Sequence, residues 1–317
     1  MRRALFPLAL VAGMAAVLCA QSQQPQLATG PPNEKELDEA TRIILDVTRV
    51  NLLFTVTDKK GRFVTDLTKD DFEVLERKKK QSIMEFTALS DLPLRLAILI
   101  DTSNSIRDRF RFQQEAAIEF INSVIRPEVD KAMVVSFDTG VGLVADLTGD
   151  PEELSDAIRS LRPGGGTALY DAIVYACRDK LMQDKPLHKF RRALVILSDG
   201  EDNQSRYSRD QALEMAHRAD AVLYTISTNI SRVQTSGDKV LRYFAEETGG
   251  LVFFPFKVED LTQSFENIAN ELRHQYNILY RPEPLNADGL YHPVRIRVKN
   301  HKKLIVRARK GYYAPKL

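Results

Sequence analysis

"LRLAILIDTSNSI", Leu94–Ile106, is the stretch on which the reading of this chain turns. Apolar residues run unbroken from Leu96 to Ile100, stop at Asp101, and are followed within four positions by Thr102, Ser103 and Ser105. An uninterrupted apolar run of this length, closed by turn residues, predicts a strand buried on both faces, the kind that parallel sheets use.

The same beat recurs downstream. "IRDRFRFQQEAAIEFINSVI" carries Phe110, Ala117, Phe120, Ile121 and Val124 at helical spacing, and "DKAMVVSFD" and "VGLVADLT" read as strands. "PEELSDAIRSL" and "ALYDAIVYACRDKLM" read as helices on either side of Gly164, Gly165 and Gly166. Strands "RALVILSD", "AVLYTIST" and "LVFFPF" then alternate with helices "RDQALEMAHRAD", "KVLRYFAEETGG" and "EDLTQSFENIANELRHQ". Such alternation predicts an α/β domain over 93–274, a doubly wound, mostly parallel sheet with helices on both faces.

The flanks have a different rhythm. Residues 43–92 hold short strands with a turn near Gly61 and a charged turn over Arg77 to Lys80. Residues 275–317 end in "YHPVRIRVKNHKKLIVRARKGYY", which predicts a β hairpin turning near Asn300 and His301. Neither flank is large enough to stand alone, so the two are expected to pack together as one smaller β domain.

At the start, Arg2 and Arg3 precede an apolar stretch, Ala4 to Leu18, that is short for a membrane span, and polar "QSQQPQ" follows Ala20. Residues 1–20 therefore read as a signal peptide cleaved after Ala20, and 21–42 as a flexible leader. Lipoprotein processing at Cys19 fits less well, because Leu18 is bulky. The expected location is secreted or periplasmic, with no stable membrane span after signal removal.

Charge and cysteine content exclude some classes. The chain has 317 residues, with Lys+Arg 45 and Asp+Glu 43, and removal of Arg2 and Arg3 leaves the two signs balanced. Nothing in that balance favours nucleic acid or an anionic membrane. Outside the signal the single cysteine is Cys177, so no disulfide framework is available. His188, His217, His274, His292 and His301 show no paired spacing, and no nucleophile and base are recognisable, so neither a zinc hydrolase nor an acyl-transfer enzyme is indicated.

In open parallel sheets, ligands bind at the carboxyl ends of the strands. Asp101 falls at such an end, "GGGTALYD" brings Thr167 after three glycines, and "LVILSDGEDN" ends another strand with Ser198 and Asp199. Hard oxygen donors converging from three loops suit Mg²⁺ with several waters retained. Any one of these motifs alone reads equally well as a helix cap. "GGGT" lacks the lysine of a phosphate loop, and "DGEDNQS" lacks EF-hand spacing, so Asp202 and Asn203 read as solvated turn residues.

Together, Asp-x-Ser-x-Ser, a threonine after glycines and the Asp of "SDG" resemble the metal-ion-dependent adhesion site (MIDAS) of von Willebrand factor type A domains. Asp101, Ser103, Ser105, Thr167 and Asp199 fill all five positions. "LTKDDFEVLE" and "VRARKGYY" are similar to segments of exported bacterial proteins of that class, although "ERKKKQS" departs from their tighter Gly-containing hairpin. The resemblance implies that the serines and threonine contact the ion and that the aspartates act largely through water. It further implies an open position for an acidic side chain of a protein partner bearing an exposed Asp or Glu. The expected function is a metal-dependent adhesion or assembly module using Mg²⁺, with Mn²⁺ or Ca²⁺ as alternatives, and not an enzyme. A metal-assisted phosphoester hydrolase and a purely structural envelope protein are the rival readings.

Overall fold

The structure, a computed structural model, describes residues 49–88, 92–104, 107, 110–185, 187–229, 233–285, 287–299 and 303–316. The expected signal peptide, the leader and the first residues of the 43–92 segment lie outside the described residues, as does Ser105. Arg42–Leu317 forms one compact unit.

The chain opens with β1 (Val50–Thr57), β2 (Phe72–Glu76), β3 (Lys79–Gln81) and β4 (Ile83–Thr87). It then enters the α/β domain through β5 (Leu94–Asp101), α1 (Phe110–Val124), β6 (Lys131–Phe137), β7 (Val141–Thr148), α2 (Pro151–Ser160) and α3 (Leu169–Val174). β8 (Arg191–Ser198), α4 (Arg209–Arg218), β9 (Ala221–Ser227), α5 (Ser236–Thr248), β10 (Val252–Phe253) and α6 (Val258–Arg273) complete the domain. β11 (Tyr276–Tyr280), β12 (Tyr291–Val298), β13 (Ile305–Ala308) and β14 (Gly311–Tyr313) close the chain.

The central sheet has the order β10-β9-β8-β5-β6-β7, parallel except for β7, which runs antiparallel to β6. Because side chains alternate across a strand, the apolar run of β5 serves two cores at once. Leu96, Ile98 and Ile100 join Phe120, Ile121, Phe265 and Ile268 on one face. Ala97 and Leu99 join Leu169, Ile173, Leu241 and Phe244 on the other. Each fully buried side chain of this size contributes roughly 1.5–3 kcal/mol, so the sheet is a rigid platform for whatever its strand ends carry.

The flanks pair with each other. β1 lies between β11 and β13, β11 also pairs β4, and the order β14-β12-β2-β3 makes a second antiparallel sheet. Both sheets close on one core in which Phe54, Phe72, Tyr276, Ile278, Val294 and Ile296 meet, with Phe54 edge-on to Phe72 at 5.0 Å.

Three details differ from the sequence reading. The expected hairpin of 275–317 does not form: β12 pairs β2 and β14, while β13 pairs β1. β1 is buried on both faces, so its backbone groups on the side away from β11 would be buried and unpaired without β13. Inward Val294 and Ile296 of β12, alternating with Arg295 and Arg297, match inward Phe72 and Val74 of β2. The charged turn is also shorter than expected. Lys79 and Lys80 belong to β3, and the reversal is made by Arg77 (φ 45°) and Lys78 (φ 69°) in the left-handed region, the geometry of a two-residue hairpin without its usual glycine. Last, the helix after Thr167 is α-helical only to Val174 and becomes a π-helix over Tyr175–Lys180.

Candidate metal site at the strand ends

Asp101 is the last residue of β5 and has no solvent exposure. Its neighbour β8 ends alongside with Ser198, whose hydroxyl donates to Asp101 Oδ2 at 2.7 Å. Asp101 Oδ1 accepts from the Ser103 backbone N–H at 2.8 Å, a local turn that bends the chain as it leaves the sheet, and the Ser103 hydroxyl also bonds this carboxylate. Ser198 Oγ in turn accepts from Gly200 N at 3.0 Å, which fixes the start of the loop bearing Asp199. Desolvation is the main cause that pushes the Asp101 carboxyl up to about 6; the hydroxyl and amide donors oppose it, and nearby Asp199 adds repulsion.

The three loops are fastened to one another. Thr102 N donates to Phe137 O at 2.9 Å and Gly164 N donates to Thr102 O at 2.6 Å, so the glycine loop hangs from the loop after β5. Gly165 has φ +84°, and a Cβ there would stand 2.8 Å from Thr139 Oγ1 and 3.1 Å from Asp138 Cβ, so only glycine allows this approach. Thr167 is buried in the same loop, ahead of α3. Asp199 is half-buried just past β8, with Oδ1 accepting from Glu201 N at 3.1 Å. Gly200 has φ +80°, and a Cβ there would fall 2.2 Å from the Gly237 carbonyl oxygen at the start of α5, so both its backbone and its surroundings call for glycine.

Asp101, Ser103, Thr167 and Asp199 are thus gathered at the carboxyl ends of β5 and β8; Ser105 lies outside the described residues. A two-carboxylate, several-hydroxyl donor set around a buried, desolvated carboxylate is chemically matched to a hard divalent cation. Among the described residues no group of three or more His, Cys, Asp or Glu stands in position to hold a metal.

Sequence reasoning passed over the residues that lock this arrangement. Asp202 Oδ2 accepts from Tyr170 N at 3.0 Å and from Ser205 Oγ at 2.6 Å, while Asp171 Oδ1 accepts from Arg206 N at 2.8 Å and Tyr207 N at 3.0 Å. Asn203 Oδ1 accepts from Thr167 N at 3.1 Å. Asp202 and Asn203 are therefore ties between loops, although Asn203 is also exposed to solvent as expected of a turn residue. The density of Asp, Asn and Ser after Gly200 was the available signal, but their partners are more than thirty residues away in sequence.

The family model of the von Willebrand factor type A domain matches residues 96–201. No curated protein matches the chain. Among solved structures, a von Willebrand factor type A protein from Catenulispora acidiphila superposes with a TM-score of 0.50 and 16% identity, covering 77% of this chain and 73% of its own. Proximal thread matrix protein 1 from the mussel byssus gives a TM-score of 0.49 and 16% identity in a structure with a zinc-occupied MIDAS motif, over 62% of this chain and 49% of its own. The chain thus spans about half the length of that protein. An aerotolerance-related membrane protein from Bacteroides fragilis gives 0.45 and 17% identity, over 56% of this chain and 99% of its own. At such identity the Catenulispora likeness speaks for fold alone. The segment 96–201, from β5 to the turn after Asp199, thus matches the von Willebrand factor type A domain, and the α/β domain around it has the fold of that class.

Proposed function

We propose that the protein is a binding module whose strand-end site holds a divalent cation of the Mg²⁺ type, with Mn²⁺ or Ca²⁺ as substitutes, and through it captures an acidic side chain of a protein partner. The observation that carries this reading is the Asp101 carboxylate, wholly buried, held by Ser103 and Ser198, and set close to a second carboxylate. Ser103 and Thr167 would contact the cation through their hydroxyls, with Ser105 as a third, and Asp101 and Asp199 would act largely through bound water. Bound there, the cation supplies an electron-poor centre with a position open to an outside carboxylate. Its direct protein contacts would be uncharged hydroxyls, with the two carboxylates a water away, so the ion stays electron-poor at its surface, which is what an acidic ligand requires.

The reading includes no catalysis. It places the module outside the cytoplasm after removal of residues 1–20, in adhesion or assembly. Among the described residues no helix is long and apolar enough to cross a membrane.

The test is retention on a matrix bearing an aspartate-containing peptide. Retention in Mg²⁺ that is lost on adding EDTA, and lost in Ser103→Ala and Thr167→Ala, supports capture. Equal retention with and without metal overturns it, as does turnover of a generic phosphate ester that vanishes in Asp101→Ala.

A further inference from the structure

We infer that Asn203 is a positioning residue for the metal site, acting through Thr167, and this rests on the proposed function. Asn203 holds Thr167 from both sides of its backbone. Its own N–H donates to Thr167 O at 3.0 Å, and its carboxamide Oδ1 accepts from Thr167 N at 3.1 Å. Gln204 N adds a second donor to the same carbonyl at 3.1 Å.

Fixing the peptide groups on either side of one residue fixes its φ and ψ, and with them the direction of its Cα–Cβ bond. Thr167 is β-branched and restricted about χ1, so a fixed backbone leaves its hydroxyl few directions. A ligand to a divalent cation needs this control, because coordination falls off steeply with misplacement.

The neighbouring glycine fits the same account. A Cβ on Gly166 would stand 2.9 Å from Asn203 Oδ1 and 2.8 Å from Gln204 Cγ, so the absence of a side chain there is what lets the carboxamide reach Thr167 N–H. Asn203 also stands four residues after Asp199, so one short loop carries a carboxylate of the site and the clasp on its threonine. The threonine and aspartate loops therefore move as one piece. Asp202, Ser205 and Asp171 tie the same two segments independently, which makes loss of the Asn203 side chain a local event and not an unfolding one.

The experiment compares wild type, Asn203→Ala and Asn203→Asp by calorimetric titration with Mg²⁺, and by hydrogen exchange of the Thr167 amide in metal-free protein. Asn203→Ala is expected to melt with the wild type, to bind Mg²⁺ about three- to tenfold more weakly, and to lose protection at Thr167. Asn203→Asp keeps an oxygen acceptor for Thr167 N–H and is expected to restore protection there at least to the wild-type level. Wild-type affinity together with wild-type protection in Asn203→Ala overturns the inference. If the wild type binds no Mg²⁺, the proposed function fails while the clasp is still judged by exchange. Unchanged exchange in Asn203→Ala then removes it as well.

Discussion

The two ends of the central sheet treat buried charge in opposite ways. At the amino-terminal ends of the strands, where the β sheets of the flanks meet the domain, acids are matched with arginines. Glu271 of α6, 2% exposed, takes two bonds from Arg307 Nη1 at 2.9 and 3.0 Å. Asp130 is held by Arg126 at 2.8 Å; although its burial acts the other way, that pairing and the backbone donors keep its carboxyl below the usual range. Arg309 joins Asp220 and the Asn51 carbonyl. At the carboxyl ends, Asp101 is more deeply buried than any of these acids. Its partners are two serine hydroxyls and a backbone amide, its charged neighbour is another acid, and its carboxyl is pushed up to about 6 by burial. A buried acid paired with arginine is finished structure. Asp101, buried among hydroxyls with its carboxyl raised, is a charge that a cation from outside would balance.

The largest expected effect breaks the finished end. Arg307→Ala leaves Glu271 buried without its cation and should cost about 3–5 kcal/mol in urea unfolding. A loss below about 1 kcal/mol would show that this pair is ordinary surface electrostatics.

The second effect has the opposite sign. The Asp101 carboxyl is raised from 3.8 to about 6 in the folded chain, so between those values the folded state binds more protons than the unfolded one. Metal-free stability should therefore fall as pH rises through this window, by about 2–3 kcal/mol between pH 4 and pH 7. Asp101→Asn should flatten that slope and be more stable than wild type at pH 7 without metal. A destabilised Asp101→Asn would mean that the carboxylate is already balanced within the chain.

A smaller effect sharpens the contrast from the other end. His217 is buried at the joint, neither of its ring nitrogens has a hydrogen-bond partner among the described residues, and burial followed by Arg309 lowers its pKa to about 3. Here the unfolded chain binds the extra proton, so this contribution to stability is complete above pH 6.5 and is lost as pH falls towards 3. At pH 5 the loss is about 2 kcal/mol. His217→Phe should remove it and lessen the loss of stability between pH 6.5 and pH 5; no change in slope would refute the assignment.

The difference between the two ends also explains what could be read in the sequence. The platform was legible because an unbroken apolar run such as Leu96 to Ile100 has few solutions other than a strand covered on both faces. Of the candidate site, Asp101, Ser103 and Asp199 could be placed because they sit where β5 and β8 stop, whereas Thr167 lies in the glycine loop ahead of α3 and was placed by its motif. The β12–β2 and β13–β1 pairings were not legible, since the alternation in β12 shows which face turns inward but not which strand it meets, and β13 pairs where a buried edge of β1 needs hydrogen bonds. Asn203 and Asp202 were misread for a related reason: a short polar side chain looks the same in sequence whether it faces water or a backbone N–H from a distant loop. The left-handed Arg77 and Lys78 defied the ordinary preference for glycine, so the shape of that turn was hidden.

Calorimetric titration of Mg²⁺ and Mn²⁺ into the purified protein, beside Asp101→Ala and Asp199→Ala, tests the central claim most directly. The account predicts saturable binding at one site per chain in the wild type and none in either variant. Folded wild type that takes up neither ion, or variants that bind as the wild type does, would contradict it.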